Sequence, residues 1–154
     1  MYLKKLSLIN FKNIREENLE FRPGINCFVG DNGAGKTNVI DAVYFLSMCK
    51  SSLAMTDGQS MRHGSDFFLL DGQYLTDGGR NESVVCAFAR KGGKTLKRNG
   101  KEYERLSDHV GLIPVVIVSP ADTMLISDAA DADDNALREA VEKQGYTVKA
   151  IEHA

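Results

Sequence analysis

The stretch Gly30-Asp-Asn-Gly-Ala-Gly-Lys-Thr37 decides how the rest of the chain is read. It fits G-x-x-x-x-G-K-[ST] without a mismatch, and that spacing has a physical reason. Glycines let successive backbone N–H groups converge on phosphate oxygens. A helix that begins there adds its unpaired N–H groups and the positive end of its dipole. Lys36 supplies a full charge for the β- and γ-phosphates, and the Thr37 hydroxyl can ligate Mg²⁺. The candidate nucleotide-binding residues are therefore Gly30, Asp31, Asn32, Gly33, Ala34, Gly35, Lys36, Thr37 and Asn38. Gly30, Gly33 and Gly35 do not make the G-x-G-x-x-G of a dinucleotide fold.

Working outward, Ile25-Asn-Cys-Phe-Val29 is expected to be a short strand buried on both faces just before the loop. Beyond it, Val39, Ile40, Val43, Phe45 and Leu46 fall broadly at helical spacing, which predicts a helix from Lys36 to about Cys49. The opening run over 2–11 alternates apolar and polar, as a half-buried strand does. A short second strand is expected over 18–21, before the turn Arg22-Pro-Gly24. Residues 66–76 and 82–91 read as strands around Asp77-Gly-Gly-Arg80. Lys91-Gly-Gly-Lys94 and Arg98-Asn-Gly-Lys101 mark two more hairpin turns, so the segment is an antiparallel meander. Val115-Val-Ile-Val118 reads as a strand, and 121–126 as a short helix started by Pro120. Residues 128–134 form an acidic, alanine-rich linker. A helix over 135–144 and a final strand over 146–151 complete the expectation.

Bulk properties leave an ordinary globular chain. Its 154 residues are 43% hydrophobic and 26% charged. No apolar run approaches the ~20 residues of a membrane-spanning helix, and the N-terminus lacks a signal-peptide pattern. A cytoplasmic protein with no membrane partner is expected. The three cysteines form no Cys-x-x-Cys pair, so all are expected to be small buried hydrophobes. The net charge of −2 hides an asymmetry: 16 Lys and Arg stand against 13 Asp and Glu over 1–112, and 3 against 8 over 113–154.

Hydrolysis needs a carboxylate on the metal and a group that orients water. Phe67-Phe-Leu-Leu-Asp71 has the outline of a Walker B strand, but Gly72 follows where an ABC-type ATPase has its catalytic glutamate. Asp57-Gly-Gln-Ser60 only superficially matches the ABC signature. Both read as decoys, and no catalytic residue is assigned. Arg90, Lys91, Lys94, Lys97, Arg98, Lys101 and Arg105 crowd the meander. They could form a stripe that binds DNA phosphates, or simply solubilise hairpin tips. Lys50, Arg62 and His63 could reach the γ-phosphate or a partner protomer.

Several blocks, taken in order, resemble the N-terminal part of the RecF family, recombination-repair proteins related to the SMC-type ATPase heads. They are Leu6-Ser-Leu-Ile-Asn-Phe-Lys-Asn13, Phe21-Arg-Pro-Gly-Ile-Asn26 leading into the glycine loop, Lys50-Ser-Ser-Leu-Ala-Met-Thr-Asp57 with Met61-Arg-His-Gly64, and Val118-Ser-Pro-Ala-Asp122. The resemblance implies an α/β P-loop NTPase, the first lobe of an ABC/SMC-type head, over 1–130, with a β-meander sub-domain at 66–105. It implies ATP and Mg²⁺ as cofactors, an ATP-dependent homodimer on DNA, and RecO and RecR partners in loading recombinase at gaps. It also places Lys12 and Asn13 near the adenine and phosphates. The later Walker B and signature motifs of the family are absent from the chain, which reads as truncated or joined after about residue 130 and as poor at hydrolysis. The tail 131–154 resembles the closing helix and strand of heavy-metal-associated domains, without their cysteines. Two other readings stay open, a small P-loop kinase acting on a metabolite and an interaction module with an empty loop.

Overall fold

Alternation in the strands determines which face receives the helix. The computed structural model describes residues 1–118, and all its elements lie in the compact unit Met1–Val115. Strand β1 (Tyr2–Phe11) turns back into β2 (Ile14–Glu20), and the glycine loop leads to helix α1 (Lys36–Met48). A one-turn helix α2 (Asp57–Ser60) precedes β3 (Phe67–Leu75), β4 (Asn81–Ala89), β5 (Gly93–Arg98) and the two-residue β6 (Lys101–Glu102). All neighbours pair antiparallel in one sheet, ordered β2-β1-β3-β4-β5-β6. The meander strands are thus continuous with β1 and β2.

In β3 the run Phe-Phe-Leu-Leu is apolar throughout, yet only Phe68 and Leu70 turn inward, with Tyr74 further along. They meet Leu6 and Leu8 of β1, Val84 and Cys86 of β4 and Leu96 of β5, all buried. Helix α1 covers this face with Val39, Ala42, Phe45 and Leu46. Phe45 and Phe68 meet edge-to-face with centroids 5.4 Å apart, and Phe11 joins both at 6.0 and 5.4 Å. Such contacts add to the burial that stabilises the core, about 1.5–3 kcal/mol per large apolar side chain.

The end of α1 is sealed from a distance. Cys49 takes the left-handed conformation, φ 56°, and its N–H donates to Phe45 O. His109, wholly buried, donates from Nε2 to Leu46 O at 2.8 Å. Ser47 donates to Ile113 O from the same helix end. His109 thus occupies a carbonyl that the last helical turn leaves open, and the Ser47 bond fastens residue 113 to the same end.

Two expected strands do not form. Residues 25–29 have no strand, and Ile25 and Val29 are 92% and 94% exposed. Apolar residues make a strand only against a neighbour, and among the described residues none lies alongside. Cys27 is therefore exposed, not buried, whereas Cys49 and Cys86 are buried as expected. Residues 115–118 likewise form no strand. The second strand starts at Ile14, earlier than the apolar pattern suggested, because its register against β1 is set by the Lys12-Asn13 turn. The expected helices, strand and linker of 119–154, and Ser119 to Asp122 of the family block, lie outside the described residues.

Candidate nucleotide-binding site

Two glycines in the loop take conformations that side chains resist. Gly33 has φ 85° and Gly35 has φ 101°. A Cβ on Gly35 would also lie 3.2 Å from Asn13 Oδ1 and 3.3 Å from Ile14 Cγ1. Gly35 is the N-cap of α1 and has no side chain to accept from the first turn, so the N–H groups of Lys36, Thr37 and Asn38 remain available. Ala34 N–H donates to Asp31 O at 3.2 Å and tightens the turn. The Lys36 ammonium folds back over the loop, donating to Gly30 O at 2.6 Å and Asp31 O at 2.7 Å. A hollow of about 300 Å³ sits here, lined by Asn13, Asn32, Gly33, Gly35, Lys36, Thr37 and Asn38. Thr37 is exposed at its edge.

The β1–β2 turn is fastened to this loop. Asn13 Nδ2 donates to Gly33 O at 2.8 Å, and Asn38 Nδ2 donates to Asn13 Oδ1 at 2.7 Å. The Asn13 side chain thus braces the loop against the first turn of α1. Beyond Ile9, β1 leaves β3: Phe11 bridges Met61, Arg62 N–H donates to Asn10 O, and Lys12 N–H donates to Ser60 O, both at 2.8 Å. Lys12, at φ 52°, sends its ammonium inward to Asp41 Oδ2 at 2.6 Å.

Asp41 went unnoticed in the sequence, although a lone acid on the apolar face of a helix was a usable signal. It is wholly buried. Besides Lys12 it accepts from Ser51 Oγ at 2.6 Å and from Ser52 N–H and Oγ at 2.7 and 2.6 Å. Burial alone would raise its pKa, but the Lys12 ammonium and the serine donors outweigh it and hold the carboxyl below its ordinary value.

A second cleft, about 880 Å³, adjoins the loop and shares Asn13 with it. Lys12, Leu53, Ala54, Met55, Gln59, Met61, Arg62 and His63 complete its lining. Arg62 and His63 line this cleft, while Lys50 is exposed outside its lining. The Asp57-Gly-Gln-Ser60 stretch is a capped helical turn. Thr56 Oγ accepts from Gln59 N–H at 3.4 Å, and Gln59 Oε1 accepts from Thr56 and Met55 N–H at 3.1 and 3.0 Å. The Thr-x-x-Gln spacing was a readable signal of this capping box. Asp71 lies mid-strand in β3 and accepts from Gln73 Nε2 at 2.7 Å.

The basic meander residues separate by strand face. On β5, Lys94 and Arg98 flank buried Leu96 on the side that meets α1. Lys94 Nζ donates to Cys49 O at 2.7 Å, pairs with Asp57 at 2.9 Å and stands 5.3 Å from the Phe45 ring centroid. Arg98 is bound to Glu82, and Lys97 reaches Glu102 at 3.7 Å. Arg90, Lys91 and Lys101 are exposed. Lys94 and Arg98 thus lie on the opposite face of β5 from Lys97 and do not share one stripe with it. Among the described residues, no group of three or more His, Cys, Asp or Glu could hold a metal ion, and no helix is long and apolar enough to cross a membrane.

Comparison with known proteins follows the same outline. A family profile described as AAA domain matches residues 5–139. The DNA replication and repair protein RecF of Phocaeicola vulgatus is 53% identical over 131 residues, which is 85% of this chain and 35% of that protein. A solved structure of the recombination mediator protein RecF with ATP superposes with a TM-score of 0.75 at 28% identity, covering 81% of this chain and 34% of the other. The SMC head domain from Thermotoga maritima superposes at 0.59 with 27% identity, covering 70% and 40%. The chain thus spans about a third of the length of the curated relatives it matches.

Proposed function

Since the chain belongs to the AAA domain family, we propose that it is the ATP-binding lobe of a RecF-type DNA repair ATPase. The fold is that of an α/β P-loop head of the ABC/SMC type, and over residues 1–130 the chain resembles the N-terminal ATPase part of RecF. The observation that carries the proposal is the complete glycine loop at the start of α1, with Lys36 across its mouth and Asn13 bracing it. The triphosphate sits in the 300 Å³ hollow on the N–H groups of 36–38, and the Lys36 ammonium exchanges the carbonyls of Gly30 and Asp31 for phosphate oxygens. The residues present fit Mg²⁺ as it travels with a nucleotide: Thr37 has the hydroxyl, and the phosphates provide the charge. The ion would neutralise developing charge on the phosphates when bound.

In this reading the lobe holds ATP and is poor at hydrolysis, since the Walker B look-alike at Asp71 is followed by Gly72 and not by a glutamate. DNA is engaged through Arg90, Lys91 and Lys101, on phosphates and without base readout. An ATP-dependent homodimer, RecO- and RecR-type partners and recombinase loading at gaps belong to the same proposal. The all-antiparallel run β3–β6 counts against the small kinase, which would call for strand–helix alternation. Calorimetric titration with Mg-ATP tests the reading. The wild-type chain is expected to bind and Lys36→Ala to lose the heat of binding; equal affinity of the two would overturn it. At a hundredfold excess over Kd, ATP should add about 2.7 kcal/mol of stability to the wild type.

A further inference from the structure

We infer that Asp41 is a positioning residue for the nucleotide site, tying together the three segments that surround the glycine loop. The inference rests on the ATP-binding reading above. Asp41 touches neither the hollow nor the adjoining cleft; it acts through its neighbours. Its first oxygen holds Ser52 through N–H and hydroxyl, and its second holds Ser51 Oγ and Lys12 Nζ, each at 2.6–2.7 Å. Lys12 belongs to the turn whose next residue, Asn13, braces Gly33 and Asn38. Ser51 and Ser52 begin the segment whose Leu53, Ala54 and Met55 wall the cleft, and Ser51 Oγ in turn accepts from Leu53 and Ala54 N–H at 3.0 and 2.8 Å.

Asp41 itself sits one helical turn beyond Thr37, so the loop's own helix anchors both walls. A buried charge with its partner removed is costly, and here the carboxylate has its four donors fully arranged. In Asp41→Asn one oxygen still accepts from Ser52, but an NH2 donor stands where Lys12 Nζ and Ser51 Oγ need an acceptor, and the turn that carries Asn13 keeps only the Asn38 tie to the helix.

The test uses the whole chain and Mg-ATP calorimetry, with the fold followed by far-UV circular dichroism at the titration temperature. Asp41→Asn is expected to weaken ATP binding tenfold or more while the spectrum is unchanged. Lys12→Gln should weaken it in the same direction, and the double variant should bind no worse than Asp41→Asn alone. A purely structural aspartate would lower Tm but leave Kd unmoved below the transition, and that result would overturn the inference. So would full additivity of the two substitutions. If Asp41→Asn does not fold, Ser51→Ala keeps the carboxylate and removes the hydroxyl that links it to Leu53 and Ala54 N–H; unchanged Kd there also overturns it. Failure of the wild-type chain to bind ATP defeats both readings, whereas binding lost in Lys36→Ala but kept in Asp41→Asn defeats only this one.

Discussion

Gly72 of β3 lies directly beneath Leu46 of α1: a Cβ on Gly72 would stand 2.7 Å from Leu46 Cδ1 and 2.9 Å from Tyr74 Cε2. The helix that carries the phosphate loop therefore rests on the sheet at a point where there is room for no side chain. This contact explains the glycine that follows Asp71, at the place where a glutamate would complete a hydrolytic site. Gly72→Ala is expected to destabilise the chain by about 1–3 kcal/mol, seen as a lower Tm. Gly72→Glu should unfold it and create no ATPase; a folded, hydrolytically active Gly72→Glu chain would disprove the packing argument.

Thiol accessibility follows from the unexpected exposure of the segment before the loop. Cys27 is exposed, while burial pushes the Cys86 thiol up to about 12 and raises Cys49 as well. Under native conditions a disulfide reagent should label one thiol fast, and three after denaturation. Cys27→Ser should abolish the fast phase, and its survival in that variant would show that another cysteine is open.

His109 gives the fold a pH dependence of predictable sign. Burial lowers its pKa below the ordinary imidazole value, against the opposing effect of its bond to Leu46 O. The unfolded chain then takes up a proton at higher pH than the folded one. Stability from this group is present above pH ~6.5 and is lost as pH falls through that value towards the lower folded pKa, with a slope of at most about 1.4 kcal/mol per pH unit. Tm measured from pH 7.5 to 5.5 should fall less steeply in His109→Gln, whose amide can still donate to Leu46 O. Parallel profiles would refute the assignment.

The basic residues of the meander should divide into two groups on substitution. Lys94→Ala strips the partner from Asp57 and Cys49 O and should cost about 1–3 kcal/mol of stability. Arg90→Ala, Lys91→Ala and Lys101→Ala should leave the stability within about 0.5 kcal/mol of wild type. On duplex DNA, each of these three is expected to reduce the salt slope of binding by about 1. A salt slope unchanged in the triple variant would remove the meander from any DNA contact.

Much of the fold was legible where the interactions are local in sequence. The glycine loop, α1 and hairpins β3–β4 and β4–β5 follow from periodicity and turn residues that lie within a few positions of one another. The run 25–29 misled because a strand's existence depends on its neighbour, which no periodicity reports. Asp41 with Lys12, and His109 with Leu46, are pairs separated by 29 and 63 positions, so their roles emerge only when the sheet is assembled. The charge of Lys94 suggests a surface residue; the pleat sends it to the core side of β5, where its ammonium stands over the Phe45 ring.

The two outer strands bear on how copies of this chain can meet. β2 lies at one edge of the sheet with Glu16, Glu17 and Glu20 along it, and among the described residues only Glu20 is balanced, by Lys5 at 2.6 Å. At the other edge β6 is two residues long. A charged border and a very short one both discourage edge-to-edge growth into larger sheets and amyloid-like stacking. Growth of a larger sheet through the β2 border is consequently expected to be unfavourable, because a second copy would bring its own glutamates against these.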